Sequence, residues 1–259
     1  MSSTPAAANL AGAAAAWRDA PEWMDFLRPD SPAHRHKLAE RELYLRLWEP
    51  FVSPGARVLD AGGGIGRFSM WCLDRGCQVD LVDPDPRSLG CAWSHAAGRP
   101  GRLTTVEAPV EAMPVAGPYD VVIAAELLCY VQDPALALAA LVERLRPGGV
   151  LLVSVEARWG WAVALDAPAG HLDAVFGDGV LHAPGDRFVR TFEERAFRAL
   201  LGGLVVERFE PSHYVYSGPL QQVAGEVDLD ALFAWEARAK AHPVFGPLNR
   251  AWIAVARRG

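Results

Sequence analysis

The sequence predicts an α/β fold, a doubly wound and mainly parallel sheet with helices on both faces. Three observations carry this expectation. From residue 56 onward, short Val-, Ile- and Leu-rich runs alternate with segments of helical spacing. One run, YDVVIAAE (119–126), is apolar at consecutive positions, as a strand covered on both faces must be. A glycine cluster follows the first run directly, in VLDAGGGIG (58–66), where such sheets turn from strand into helix.

The elements follow in order. Residues 1–16 are Ala-rich and lack the basic start of a signal peptide, so they read as a flexible or helical leader of low order. KLAERELYLRLWEPFV (37–52) places Leu38, Leu45 and Trp48 near one helical face, with the basic HRHK (34–37) just before it. SPGA then breaks the chain. ARVLDA (56–61) is the first strand, and GRFSMWCLDRG (66–76) is a helix stopped by Gly76. CQVDLVD (77–83) is the second strand, PRSLGCAWSHAA (86–97) a helix, RLTTVEA (102–108) the third strand and YDVVIAAE the fourth. DPALALAALVERLRPGG (133–149) is a helix with an Asp133 cap, Pro134 in its first turn and a Pro-Gly-Gly stop; VLLVSVE (150–156) is the fifth strand.

After Glu156 the pattern loosens, and residues 157–190 show no clear period. TFEERAFRALLGG restores a helix, LVVERFEP a strand, DLDALFAWEARAKA a helix and RAWIAVARR a last strand. A late strand pair after a long connection fits an antiparallel addition at one sheet edge. The expected organisation is a leader (1–16) and a single domain (17–259). The domain comprises a helical cap (17–54), a ligand-binding core (55–156) and a substrate-side insert (157–190).

Composition narrows the function classes. A net charge of -6 argues against a nucleic-acid partner, which would call for a basic face. No apolar run reaches the roughly 18 residues that span a bilayer, so no membrane association is expected. Cys72, Cys77, Cys91 and Cys129 form no CxxC pair and lie in no zinc spacing, so no metal is expected and a cytoplasmic location with reduced thiols fits.

The glycine loop selects among nucleotide-like ligands. A triphosphate loop needs GxxxxGK[ST], and neither the Lys nor the hydroxyl is here. The dinucleotide pattern GxGxxG fails in every register: the third glycine is replaced by Arg67 or Ser69, or the second by Ile65. What fits is DxGxGxG, formed by Asp60, Gly62, Gly64 and Gly66. An acid inside the loop would repel a pyrophosphate but suits a ligand with an ammonium group. Asp83 ends the second strand, where a carboxylate can accept both hydroxyls of a ribose; before a proline, it can equally be turn chemistry.

Together these segments resemble the class I S-adenosylmethionine-dependent methyltransferases, of the small-molecule type related to ubiquinone and menaquinone methyltransferases. VLDAGGGIG resembles the first motif of that family and VDLVDPDP its second-strand acid. EAMPVAGPYDVVIAAELLCYVQDP, LRPGGVLLVSV and RTFEERAFRALLGGLVVERFEP resemble its later segments, so the match covers most of the chain. The resemblance implies a Rossmann-like sheet of seven strands with the last antiparallel. It implies S-adenosyl-L-methionine as cofactor, with the Gly62–Gly63–Gly64 backbone along its methionine part and Asp60 favouring the ammonium group. Asp83 would hold the ribose, Pro84 would pack near the adenine and Ala125 would border the methionine end. The family's adenine-side Asp aligns with Pro109, leaving the Val110 backbone or Glu111 to serve. Its Glu-His after the fourth strand is Cys129-Tyr130 here, which removes a histidine base and makes Tyr130 a candidate.

Methyl transfer is a direct displacement that depends first on alignment, and a base is needed only if the acceptor must lose a proton. Candidate bases are His171 and His182 in the insert and His213, with Tyr214 and Tyr216 beside it. Trp159, Trp161, Trp17 and Trp23 are candidate walls of an apolar acceptor pocket. The leading expectation is methylation of a small, fairly apolar metabolite at oxygen, nitrogen or carbon. RNA or protein methylation, an NAD-dependent oxidoreductase and a non-catalytic cofactor-binding protein remain as alternatives, and the oligomeric state is left open.

Overall fold

The computed structural model describes residues 5–163, 171–183, 187–216 and 225–259. In chain order the elements are α1 (Pro5–Asp19), α2 (Pro21–Met24), α3 (His34–Trp48), β1 (Arg57–Ala61), α4 (Arg67–Asp74), β2 (Gln78–Asp83), α5 (Pro86–Ala96), β3 (Arg102–Glu107) and β4 (Tyr119–Ala124). They continue with α6 (Pro134–Glu143), β5 (Leu145–Glu156), α7 (His171–Phe176), β6 (Val180–Ala183), β7 (Arg187–Arg190), α8 (Glu194–Leu200), β8 (Val205–Ser212), α9 (Leu229–Ala241) and β9 (Ala251–Arg257).

Seven strands form one sheet in the order β3-β2-β1-β4-β5-β9-β8. β1 through β5 pair in parallel, and β9 runs antiparallel to both β5 and β8. The predicted doubly wound sheet with an antiparallel last strand is therefore the observed one. Successive side chains point to opposite faces, so consecutive apolar residues make both faces apolar. Leu59, Val122, Leu151 and Val153 face one core with Leu138 and Leu141 of α6 and Phe197 of α8. Val58, Ile123 and Leu152 face the other, with Trp48 of α3 and Phe68 and Leu73 of α4. Each fully buried Val, Leu or Phe contributes roughly 1.5–3 kcal/mol, so consecutive apolar positions in β4 and β5 lock the sheet between two helical layers.

Local signals hold the helices in register. The Asp85 side chain accepts from the amides of Arg87 and Ser88 at the start of α5, and Asp133 accepts from Ala135 and Leu136 at the start of α6. Gly76 takes φ +74 just beyond α4, the left-handed stop expected of it.

Of the two forms expected for the leader, the helical one is observed from Pro5, and α1 packs on β7. The structure departs from expectation in three places. HRHK does not precede the cap helix but forms its first turn. β5 begins at Leu145, which pairs with Tyr119; a register shift takes up residues 146–149 before Val150 pairs with Val121. The patternless insert contains α7 and the β6–β7 hairpin. Both are shorter than the window in which periodicity can be read.

Candidate functional site

The strand order reverses between β1 and β4, and ligands of open parallel sheets sit outside the carboxyl ends of the strands at such a point. A cavity of about 390 Å³ lies there, a size suited to one ligand of small-molecule scale. Its floor is Asp60, Gly62, Gly63, Gly64 and Ile65 after β1, with Asp83, Pro84 and Asp85 after β2 and Ala125, Glu126 and Leu127 after β4. Ala108, Pro109, Val110 and Glu111 form one side. Asn9, Leu10 and Ala13 of α1 cover it, with Met24, Phe26 and Lys37 beside them.

The glycine loop is shaped by its neighbours. Gly62 takes φ +67, and a Cβ there would come within 2.7 Å of Leu127 Cδ1. Gly64 takes φ +56 with nothing within 4 Å of a Cβ, so its bare backbone faces open space. The Gly64 amide donates to Asp83 Oδ2 at 2.9 Å, and the Asp85 amide donates to Asp83 Oδ1 at 2.9 Å. Burial pushes the Asp83 carboxyl up to about 6, against the pull of the Asp85 and Gly64 amides. Asp60 is buried beneath Gly63 and accepts from the Ser69 hydroxyl at 2.6 Å. Burial pushes it up to about 6, against the stabilising hydrogen bonds from Ser69.

A charged cluster closes the other end. Lys37 and Arg67 both reach Glu40 Oε2, at 2.8 and 2.5 Å. Burial would raise the Glu40 carboxyl, but Lys37 and Arg67 outweigh it and hold it below the usual range. The Tyr44 hydroxyl donates to Glu126 Oε1 at 2.6 Å, and Arg67 approaches the same oxygen at 3.8 Å. Burial raises the Tyr44 hydroxyl well above its ordinary value, so it stays a donor.

All nine expected cofactor positions, from Asp60 to Ala125, line this cavity, and so does Tyr130. The histidines are elsewhere. His171 lies near Trp161, its Nε2 2.6 Å from the Trp161 carbonyl oxygen, and is not part of the cavity wall. His213 is buried against the Tyr44 ring at 4.6 Å, outside the wall, and burial pushes it down to about 3. The backbone of His182 lies in β6 opposite Phe188; its side chain and that of Tyr216 lie outside the described residues. The Tyr214 hydroxyl donates to the Gly246 carbonyl, and Trp161 donates to Glu156. None of Trp17, Trp23, Trp159 and Trp161 lines the cavity; Leu10, Met24, Phe26 and Phe68 supply its apolar wall instead. Arg67, Glu126, Asn9 and the Tyr44–Glu40 support are residues the sequence reading did not single out. Arg67 and Glu126 directly follow the loop and the fourth strand, and that adjacency was the available signal.

The family described as "Methyltransferase domain" matches residues 32–202. The chain belongs to this methyltransferase family. The match runs from the cap through the insert and includes every cavity residue except those of α1, Met24 and Phe26. The chain is 33% identical over 145 residues to the ubiquinone biosynthesis O-methyltransferase of Xanthomonas axonopodis pv. citri, covering 55% of this chain and 59% of that one. It thus spans about three fifths of the length of this curated relative. Its fold matches an S-adenosylmethionine-dependent methyltransferase from Mesorhizobium loti with a TM-score of 0.60, at 22% identity over 85% of this chain and 98% of that one. It also matches magnesium protoporphyrin IX methyltransferase from Synechocystis with bound S-adenosylhomocysteine, with a TM-score of 0.59, at 16% identity over 95% and 97% of the two chains. The sheet is thus the Rossmann-like one of S-adenosylmethionine-dependent methyltransferases. Among the described residues, no helix is long and apolar enough to cross a membrane.

Proposed function

We propose that the cavity binds S-adenosyl-L-methionine and that the chain transfers the methyl group to a small, fairly apolar acceptor. The observation that carries this reading is the joining of Asp83 to the glycine loop on one cavity wall. The residues fit the cofactor. Asp83 has lone pairs beyond its two amide contacts for ribose hydroxyls, and the open space beside Gly64 admits a ligand against bare backbone. Pro84, Val110 and Glu111 would flank the adenine, and Gly62, Gly63 and Ala125 would border the methionine part.

When bound, the cofactor supplies a methyl group on a positively charged sulfur. The protein's part is to hold the donor end between the loop and Leu127, to exclude water beneath α1, and to align the acceptor. Among the described residues no histidine lines the cavity, so Glu126 and Tyr130 are the side chains placed to meet an acceptor proton. Acceptance of a small molecule is supported by the size of the cavity, the net charge of -6 and relatives named for ubiquinone biosynthesis. The same acidic balance disfavours an RNA substrate. The four free cysteines favour the cytoplasm.

The test is thermal stabilisation of the full chain. S-adenosylhomocysteine is expected to raise the melting temperature and NAD to leave it unchanged. Stabilisation by NAD alone would overturn the reading.

A further inference from the structure

The cavity wall carries an uneven charge. Lys37 and Arg67 line it as cations, and Asp60, Asp83, Asp85, Glu111 and Glu126 line it as carboxylates. Glu40 joins the two cations from outside the lining. The lining thus has an acidic excess. Asp60 is engaged by Ser69 under the loop. Glu126 stands at the cavity, with about a quarter of its side chain exposed.

Glu126 is also held with unusual care. Its φ is +59, a left-handed conformation that a long side chain adopts only where the surroundings impose it. Its amide donates to the Ser154 carbonyl at 3.1 Å and to the Ser154 hydroxyl at 2.9 Å. Tyr44 and Arg67 both meet Oε1, and the residue lines the cavity. Strain of this kind clusters where a side chain has to be aimed.

We propose that Glu126 sets the preference of this site for a cationic sulfonium donor over its neutral thioether product. The inference rests on the cavity being the S-adenosylmethionine site. The amino-acid end of the donor carries ammonium, carboxylate and sulfonium groups, a net positive charge; that of the product is neutral. A wall with an acidic excess complements the first and not the second. Adenine and ribose contacts are common to both ligands and cancel in the ratio of affinities. The partly buried site lowers the effective dielectric, so one charge counts. Preference for the donor also helps the product to leave.

The experiment is calorimetry on the full chain with three ligands: S-adenosylmethionine, S-adenosylhomocysteine, and sinefungin, which carries an amine in place of the S-methyl group. The wild type is expected to bind the two cationic ligands at least as tightly as the thioether. Glu126→Gln is expected to weaken both cationic ligands about tenfold while S-adenosylhomocysteine stays within about twofold. Glu126→Asp, which keeps the charge, is expected to retain the preference. Parallel losses for all three ligands, or no change in their ratio, would overturn the proposal. If Glu126→Gln does not fold, the wild-type ratio decides, and a wild type that favours the thioether over both cationic ligands overturns it. A wild type that binds none of the three instead overturns the reading of the site itself.

Discussion

Asp83 Oδ2 accepts the Gly64 amide at 2.9 Å, so the acid that ends β2 also fixes the glycine loop that follows β1. The two features look independent in the sequence, 19 positions apart. In the fold they are one device: the Asp83 carboxylate is oriented by the loop, and the loop is pinned by the carboxylate.

This joint role makes Asp83→Ala a double loss. It removes the hydroxyl acceptor and releases the Gly64 amide. The affinity for S-adenosylhomocysteine is expected to fall by about 1.5–3 kcal/mol, the range for a charged hydrogen-bond partner. Asp83→Asn, which keeps one acceptor oxygen, is expected to lose less. Calorimetry on both variants checks the order, and equal affinity in Asp83→Ala and wild type would remove Asp83 from the site.

Affinity is expected to depend on pH through the same residue. Burial raises the Asp83 carboxyl to about 6, so in the ligand-free protein it takes up a proton as the pH falls through 6. A ribose bound to the ionised form lowers that value, and binding then releases a proton. By linkage the affinity is highest above pH 6 and declines as the pH drops from about 7 to 5. The sign for stability is opposite. A carboxyl raised from 3.8 to about 6 favours the ligand-free folded state below its unfolded pKa, and that contribution is lost as the pH rises through 6. A calorimetric pH series that is flat for wild type but sloped for Asp83→Asn would contradict the assignment.

Gly62→Ala and Gly64→Ala separate folding from binding. Both positions have positive φ, so each alanine costs about 1–2 kcal/mol of backbone strain. Only Gly62→Ala also meets Leu127, at 2.7 Å, whereas the Gly64 Cβ points into open space. Gly62→Ala is expected to lower the melting temperature more. Gly64→Ala is expected to lose more cofactor affinity than stability. Denaturation midpoints and binding isotherms for the pair read this directly.

Helix α1 is tied down by two polar side chains. Asn9 Nδ2 donates to the Tyr130 carbonyl at 3.1 Å, and its Oδ1 accepts the Phe188 amide at 3.0 Å. Trp17 Nε1 donates to Asp85 Oδ2 at 2.8 Å. Asn9→Ala is expected to cost about 1–3 kcal/mol locally and to speed hydrogen exchange at Phe188, while the amides of β1 and β4 keep their protection. Unchanged exchange at Phe188 would show that α1 is not held through Asn9.

The core of the fold was legible because its signals are local and repeated. Apolar runs, Asp caps and the glycine loop each report on their own few residues, and they agree on a parallel sheet. The loop and Asp83 were legible as candidates for the same reason, and both line the cavity. The charged cluster beside the loop was not. Arg67, Glu126, Tyr44 and Glu40 meet from α4, the end of β4 and α3 only after the sheet has formed, and no spacing along the chain announces that meeting. His171 and His213 drew attention by chemistry alone, and packing took them to Trp161 and Tyr44 instead. The Ala-rich start carries no amphipathic pattern, so its role as the cover of the cavity shows only in the contacts of Asn9 and Trp17.

On the proposed function, one cavity holds the methyl donor with its ribose on Asp83. A crystal structure of the full chain with S-adenosylhomocysteine tests it most directly. The expected result is both ribose hydroxyls on the Asp83 carboxylate, with the amino-acid end against Gly62 and near Glu126. A ligand bound elsewhere, or bound in this cavity with its ribose away from Asp83, would contradict the account.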